Sequence, residues 1–262
     1  ILFNNNKPIH EKYETVNRRY NGLAKGGFDV ISSQFSMHYY FETEETFNGF
    51  LQNLKENIKT GGYFIGTCYD GMKIFNYFKR KNDIMRKIWY GEDEDGIDEG
   101  SVDDDEDDED DDEYEEYKVF EMKDYLQNKV FSIEKKYDMD DFTYEGTNET
   151  MFGNKIRVFM DSIGQPIDEF LVNFDFFVDV MKENGFQLVR PKGGTNIFRE
   201  DYFENDLGQF GHVIEKLPEI RRTDEVFRRF YSDAYQMNTE YNPESPLSIL
   251  SSFNIYFIFQ KI

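Results

Sequence analysis

One cysteine, three histidines and one tryptophan leave this 262-residue chain with little of the chemistry that disulfides and metals require. Cys68 is the sole thiol, so no internal disulfide can form and a reducing compartment is expected. His10, His38 and His212 lie too far apart for zinc-ligand spacing. No apolar run approaches the ~20 residues that cross a bilayer, and the opening ILFNNNKPIHEKYE has neither the basic start nor the apolar middle of a signal peptide. A soluble intracellular chain with no membrane partner is expected. At ~100–200 residues per domain, it should build one main core.

Basic residues are also scarce: 30 Lys and Arg stand against 53 Asp and Glu, a formal charge of −23. That balance opposes binding a polyanion, because such affinity comes from cations displacing counterions. The deficit is concentrated, however. Nineteen of the acidic residues lie between Glu92 and Glu116, with no basic residue among them, so the rest of the chain holds 34 acids against 30 bases. The block is low-complexity and self-repelling, which predicts a disordered insertion.

What the chain has in quantity is aromatic residues, 27 Phe and 18 Tyr, suited to a core or to stacking bases. The run FDVISSQ (28–34) reads as a buried strand. Phe47, Phe50, Leu51, Leu54 and Ile58 then recur at helical spacing over 44–59, with Thr60-Gly61-Gly62 as the stop, and YFIGTCY (63–69) is a second strand. Strand, four-turn helix, strand is a βαβ unit, so the class is α/β. A helix is expected over 70–88, carrying Lys73, Lys79, Arg80, Lys81, Arg86 and Lys87. It is either a surface for RNA phosphates or an ordinary solvated face.

Residues 130–137 and 155–159 read as strands of an antiparallel excursion. Pro166 can open a helix whose apolar stripe is Phe170, Leu171, Phe174, Phe177, Val178 and Met181, stopping at Asn184-Gly185. A strand over 186–189, helices over 202–217 and 225–241, and an aromatic final strand over 254–259 complete a doubly wound, mostly parallel sheet whose last strand is antiparallel.

Ligands of such sheets sit beyond the carboxyl ends of the strands. The segment leaving the first strand, QFSMHYYF (34–41), is dense in aromatic and hydrogen-bonding groups. Here the sequence resembles the mRNA cap guanine-N7 methyltransferases of eukaryotes and large DNA viruses. FDVISSQFSMHYYFE (28–42) is similar to that family's strand followed by Q-F-x-x-H-Y-x-F, and GGYFIGTCYDG (61–71) to its P-G-G-x-F-I-G-T. MFGNKIRVFMDSIGQPIDEFLVNFDFF (151–177) is similar to its F-G-x-K-Y-x-F followed by V-x-E-F-L-V-x-F. NIYFIFQK (254–261) is similar to its final I-Y-x-x-F-x-F-x-K. TCYDG is closer to the viral form.

The resemblance implies a Rossmann-like class I fold and methyl transfer from S-adenosylmethionine to the cap guanine of capped mRNA. Gln34 and Tyr39 match positions lining the cofactor pocket; His38 and Glu169 match contacts to the guanine; Tyr256 matches an aromatic contact to the cap. Each also has an ordinary structural reading: packing at a strand end for Gln34 and Tyr39, a satisfied histidine for His38, a favourable acid in a helix's first turn for Glu169, and core packing for Tyr256. Guanine's seventh nitrogen has a free lone pair, so the chemistry needs alignment and no catalytic base.

The family's cofactor loop, with an acidic residue and glycines after its first strand, does not match anywhere in 1–262. Gly26-Gly27 and Gly61-Gly62 lead into strands, whereas a cradling loop leaves one. Residues 1–262 are therefore expected to be the C-terminal portion of the methyltransferase domain, with the first strands and upstream capping domains supplied by the same polypeptide or a partner subunit. Cytoplasm of an infected cell or a virion would follow for a viral source, the nucleus for a cellular one. Two rival functions remain open: a catalytically silent cap-binding or accessory subunit, and a methyltransferase with another nucleophile.

Overall fold

The computed structural model describes residues 25–90, 116–124, 126–147, 149–189, 203–204, 207–210 and 246–262. The acidic stretch up to 115 and the helix expected over 225–241 lie outside them. The helix expected over 202–217 is corrected where it is described: Phe203–Glu204 and Leu207–Gln209 are strands paired with each other as a hairpin.

The expected βαβ unit is present. Strand β1 (Phe28–Gln34) is followed by a 3-10 turn (Met37–Phe41), helix α1 (Glu44–Asn57) and strand β2 (Ile58–Tyr69), and β1 and β2 pair in parallel. Thr43 starts α1 with a reciprocal cap: its side chain accepts from the Thr46 backbone while the Thr46 hydroxyl accepts from its own. This satisfies two amides that a helix start otherwise leaves bare. The stripe read from the sequence, Phe47, Phe50, Leu51 and Leu54, is buried. Burial of each such side chain favours folding by about 1.5–3 kcal/mol.

Strand β2 begins at Ile58, five residues before the expected start, and runs through the Thr60-Gly61-Gly62 segment read as a helix stop. Gly61 takes φ +82°, and a register shift between Phe28 and Val30 of β1 absorbs the irregularity. Glycine permits this bulge where another residue would be strained.

Helix α2 (Gly71–Tyr90) leaves the carboxyl end of β2. Strands β3 (Val119–Lys123), β4 (Lys129–Lys135), β5 (Lys155–Met160) and β6 (Ile167–Phe170) form a separate antiparallel sheet in that order. Helix α3 (Phe174–Glu183), capped by Asn173, leads into β7 (Phe186–Leu188). A hairpin of β8 (Phe203–Glu204) and β9 (Leu207–Gln209) follows, then α4 (Pro246–Ser252) and β10 (Asn254–Lys261). Strand β10 pairs antiparallel with both β2 and β7, so β1, β2 and β7 point one way and the last strand runs against them between two of them. This is the Rossmann-like α/β arrangement with an antiparallel final strand.

Another expected element is corrected as well. The helix read from Pro166 starts at Phe174; residues 167–170 are strand, paired with β5. Asn173 decides the boundary, since its Oδ1 accepts from the Phe176 amide and its Nδ2 donates to the Phe142 carbonyl at 2.6 Å. Glu169 is thus a strand residue opposite Ile156, and the helix-dipole reading of it does not apply.

The core between sheet and helices is largely phenylalanine: Phe41, Phe47, Phe64, Phe177, Phe257 and Phe259 are at most 1% exposed. Their rings meet edge-on or tilted at centroid distances of 4.9–6.2 Å, the arrangement ring quadrupoles favour. Gly71 ties the two sheets together. Its amide donates to Val172 O at 2.9 Å, and a β-carbon there would lie 2.5 Å from that oxygen. The end of β2 is thereby held against the chain leaving β6, three residues beyond Glu169.

Candidate functional site

A single row of paired residues crosses the carboxyl end of the sheet: Gln34 on β1 opposite Thr67 on β2, Thr67 opposite Tyr256 on β10, and Tyr256 opposite Gly208 on β9. Residues in register project from the same face of a sheet, so Gln34, Thr67 and Tyr256 share one surface.

Thr67 organises the β1 end. Its hydroxyl donates to Gln34 Oε1 at 2.9 Å and accepts from the Phe35 amide at 3.2 Å, while the Thr67 carbonyl accepts from the same amide at 2.8 Å. Gln34 Nε2 donates to the Ser32 hydroxyl. Phe35 is held at φ +49°, a conformation costly for a bulky residue and one that concentrates at functional sites. Its ring is half exposed and faces Phe210, which in turn meets Tyr256 edge-on at 5.6 Å. Tyr256 lies flat against the hairpin; a β-carbon on Gly208 would fall 2.0 Å from its ring.

The 3-10 turn after β1 alternates in exposure. Met37, His38 and Phe41 are buried, whereas Tyr39 and Tyr40 face outward, Tyr40 stacked on Phe50. His38 is 3% exposed and Glu169 5%, and His38 Nε2 lies 3.4 Å from Glu169 Oε2. The contact is too long and misdirected for a hydrogen bond: both His38 nitrogens and Glu169 Oε2 lack a hydrogen-bond partner among the described residues. Nor is it an ion pair, since burial lowers the His38 pKa to about 4 and raises that of Glu169 to about 7. A neutral imidazole faces a carboxyl group poised near neutrality. Burial, and after it the nearby Glu169, pushes the Tyr39 and Tyr69 phenols up. Leaving such an acceptor unpaired costs about 1–3 kcal/mol.

The structure therefore brings His38, Tyr39 and Glu169 together, and joins Gln34 to Tyr256 through Thr67. Sequence reading did not single out Thr67, Phe35, Tyr69, Gly208 or Phe210. Thr67 and Tyr69 stood within the GTCYDG segment, but their meaning comes from register. Phe210 and Gly208 carried no signal.

With this geometry in view, residues 8–94 match the model of the mRNA (guanine-N(7))-methyltransferase domain. Over those residues the chain is similar to the mRNA cap guanine-N7 methyltransferases. A probable mRNA-capping enzyme of Acanthamoeba polyphaga mimivirus is 25% identical over 270 residues, spanning 98% of this chain and 18% of that protein. The mRNA cap guanine-N(7) methyltransferase of Aspergillus fumigatus is 25% identical over 187 residues, 70% of this chain and 25% of that protein. The chain thus covers about a fifth to a quarter of the length of these relatives. Among solved structures, an S-adenosylmethionine-dependent methyltransferase from Clostridium acetobutylicum aligns over 97% of this chain and 72% of that one, at 10% identity and a TM-score of 0.34, a likeness without weight for the fold.

Proposed function

We propose that the chain is the C-terminal part of an mRNA cap guanine-N7 methyltransferase domain that transfers a methyl group from S-adenosylmethionine to capped mRNA. One observation carries this: a buried Glu169 oxygen without a hydrogen-bond partner among the described residues, 3.4 Å from a buried neutral histidine. An ionised carboxylate is acceptor-only, and guanine offers a ring N–H and an NH₂ side by side, the donors such a group lacks. His38, neutral at physiological pH, adds a donor and an acceptor. Tyr256 supplies an aromatic wall on the same face as Gln34.

Gln34 and Tyr39 would hold the cofactor, and the residues present fit one side of such a pocket. Both are solvent-accessible at the carboxyl end of β1, and β1 has a strand neighbour on one edge only among the described residues. On that strand Phe28 is 37% and Val30 49% exposed, although parallel strands are ordinarily covered on both faces. The free edge and these apolar side chains suit further strands of the same domain, supplied from upstream in the polypeptide or by a partner subunit, with the cofactor loop among them. Bound there, S-adenosylmethionine supplies an electrophilic methyl group. The chain's own residues orient the guanine, and positioning of this kind contributes up to ~7–11 kcal/mol in favourable cases. A viral source places the reaction in an infected cell's cytoplasm or the virion, a cellular one in the nucleus.

The test is transfer of a labelled methyl group to unmethylated capped RNA by this chain and by a longer polypeptide that includes the upstream strands. Activity confined to the longer form is expected. Cap binding without transfer in either form would favour a silent accessory subunit. Replacing Glu169 with Ala should weaken binding of a cap analogue by at least ~1 kcal/mol; unchanged affinity would overturn the assignment of that residue.

A further inference from the structure

Helix α2 carries six basic residues and one acid, Asp83, within a chain whose formal charge is −23. Its core-facing side is Ile74, Phe75, Phe78 and Asn82, all buried. Lys73, Arg80 and Lys87 are spaced by seven residues, two turns, so they stand almost in line on the opposite side, about 10 Å apart. Lys79, Lys81 and Arg86 flank them. Arg80 and Lys87 are exposed, and neither has an ion-pair partner among the described residues. Lys81 is drawn over the Tyr77 ring and Lys79 over Phe75, which keeps their charges along the helix rather than splayed into solvent.

The position of this stripe gives it meaning. Gly71, the first residue of α2, directly follows Asp70 at the carboxyl end of β2, where the candidate site lies. Lys73 donates to Gln209 and lines a cavity of about 520 Å³ shared with Asp70, Asn76 and Phe174. From there the helix extends for about 30 Å. Cations in a row, beginning beside a pocket for a terminal guanine, match the phosphates of the strand attached to that guanine.

We propose that the basic stripe of α2, the half-buried Lys73 followed by the exposed Arg80 and Lys87 with Lys81 beside them, is the track for the phosphates of the RNA strand leaving the cap pocket. The inference rests on the cap reading above. The contacts proposed are to phosphates, which position the strand and carry no sequence information.

The experiment measures binding of the full chain to a capped ten-nucleotide RNA, the same RNA uncapped, and a cap dinucleotide, across a series of salt concentrations. The triple variant Arg80→Ala/Lys81→Ala/Lys87→Ala is compared with Lys118→Ala/Lys123→Ala/Lys136→Ala, which removes equal charge from the antiparallel sheet. Each lost phosphate contact flattens the plot of log affinity against log salt by ~0.7, so the α2 variant should lose about two units of slope and bind both RNAs on the order of tenfold more weakly at low salt. Its affinity for the dinucleotide should be unchanged. Equal losses in the two variants would mean general charge attraction and overturn the track. So would no loss in the α2 variant, the result expected if the stripe instead engages the chain's own acidic stretch. If the dinucleotide fails to bind while both RNAs still report on α2, the track stands and the cap reading falls.

Discussion

Thr67 fixes Gln34 across a strand boundary: one hydroxyl donates to the Gln34 side-chain carbonyl at 2.9 Å and accepts the amide of the next residue, Phe35, at 3.2 Å. The first bond aims an amide group. The second helps to hold Phe35 in a left-handed conformation that its bulk opposes.

Replacing Thr67 with Val keeps the shape and removes both bonds. A loss of about 1 kcal/mol in unfolding free energy is expected, since Gln34 Oε1 loses its donor while the Phe35 amide keeps its bond to the Thr67 carbonyl. Thr67→Ser should retain most of it. Thermal or denaturant unfolding of the three proteins checks the stability. Weaker cofactor binding by the Val variant alone, beyond what its stability explains, would identify the hydroxyl as positioning Gln34.

His38 and Glu169 pull stability in opposite directions with pH. Glu169 has a folded pKa of about 7 against an ordinary 4.5, so its ionisation disfavours the fold. The cost is absent below pH 4.5, grows from there to pH 7 and is then constant, at about 3 kcal/mol. His38 has a folded pKa of about 4 against 6.5, so stability falls as the pH drops from 6.5 to 4 and the unfolded chain takes up a proton first. The two slopes offset each other in the intact protein. Glu169→Gln should expose the histidine slope, with stability declining on acidification. His38→Asn should expose the carboxyl slope, with stability rising on acidification. Urea melts at pH 4.5, 5.5, 6.5 and 7.5 would show this, and parallel curves for both variants would contradict it.

The same carboxyl group ties recognition to pH. If guanine donates to Glu169, the carboxylate is the competent form, and cap affinity should fall up to tenfold per pH unit below about 7. Glu169→Gln should remove most of that dependence. Titration of a cap analogue at fixed ionic strength separates the two profiles.

Gly208 sets the place of Tyr256. A methyl group added there meets the ring at 2.0 Å, so Gly208→Ala must move the ring or the hairpin. Overpacking of this kind costs about 1–3 kcal/mol. A cap analogue should bind the variant less tightly if Tyr256 is a wall of the pocket, whereas an effect on melting alone would make the contact structural.

How much of this was legible depends on which interactions fix each element. Strand β1, helix α1 and strand β10 were readable because their patterns are local: a short apolar run, a helical stripe, a run of aromatics. The segment around Glu169 was not, because IDEFLVNFDFF is apolar at both periods and Pro166 can open either structure. Pairing with β5 and the Asn173 cap decide it, and both depend on residues distant in sequence. Ile58 to Gly62 failed similarly, since two glycines look like an ending until a partner strand accommodates them. The resemblance located His38 and Glu169 one at a time. Two long-range bonds show why they meet: Gly71 to Val172, and the Gly153 amide to the Phe41 carbonyl of the turn that carries His38.

Strand β10 lies between β2 and β7, so the middle of this sheet is filled by residues that emerge late in synthesis. Until residues 254–261 leave the ribosome, β2 and β7 have no common neighbour, and Phe64, Phe177 and Phe259 cannot close over one another. Such late, long-range pairing makes folding slow. It also makes the sheet dependent on residues 254–261: a frameshift or proteolytic nick ahead of Asn254 would take away the strand that joins β2 to β7 and unmake the sheet's centre.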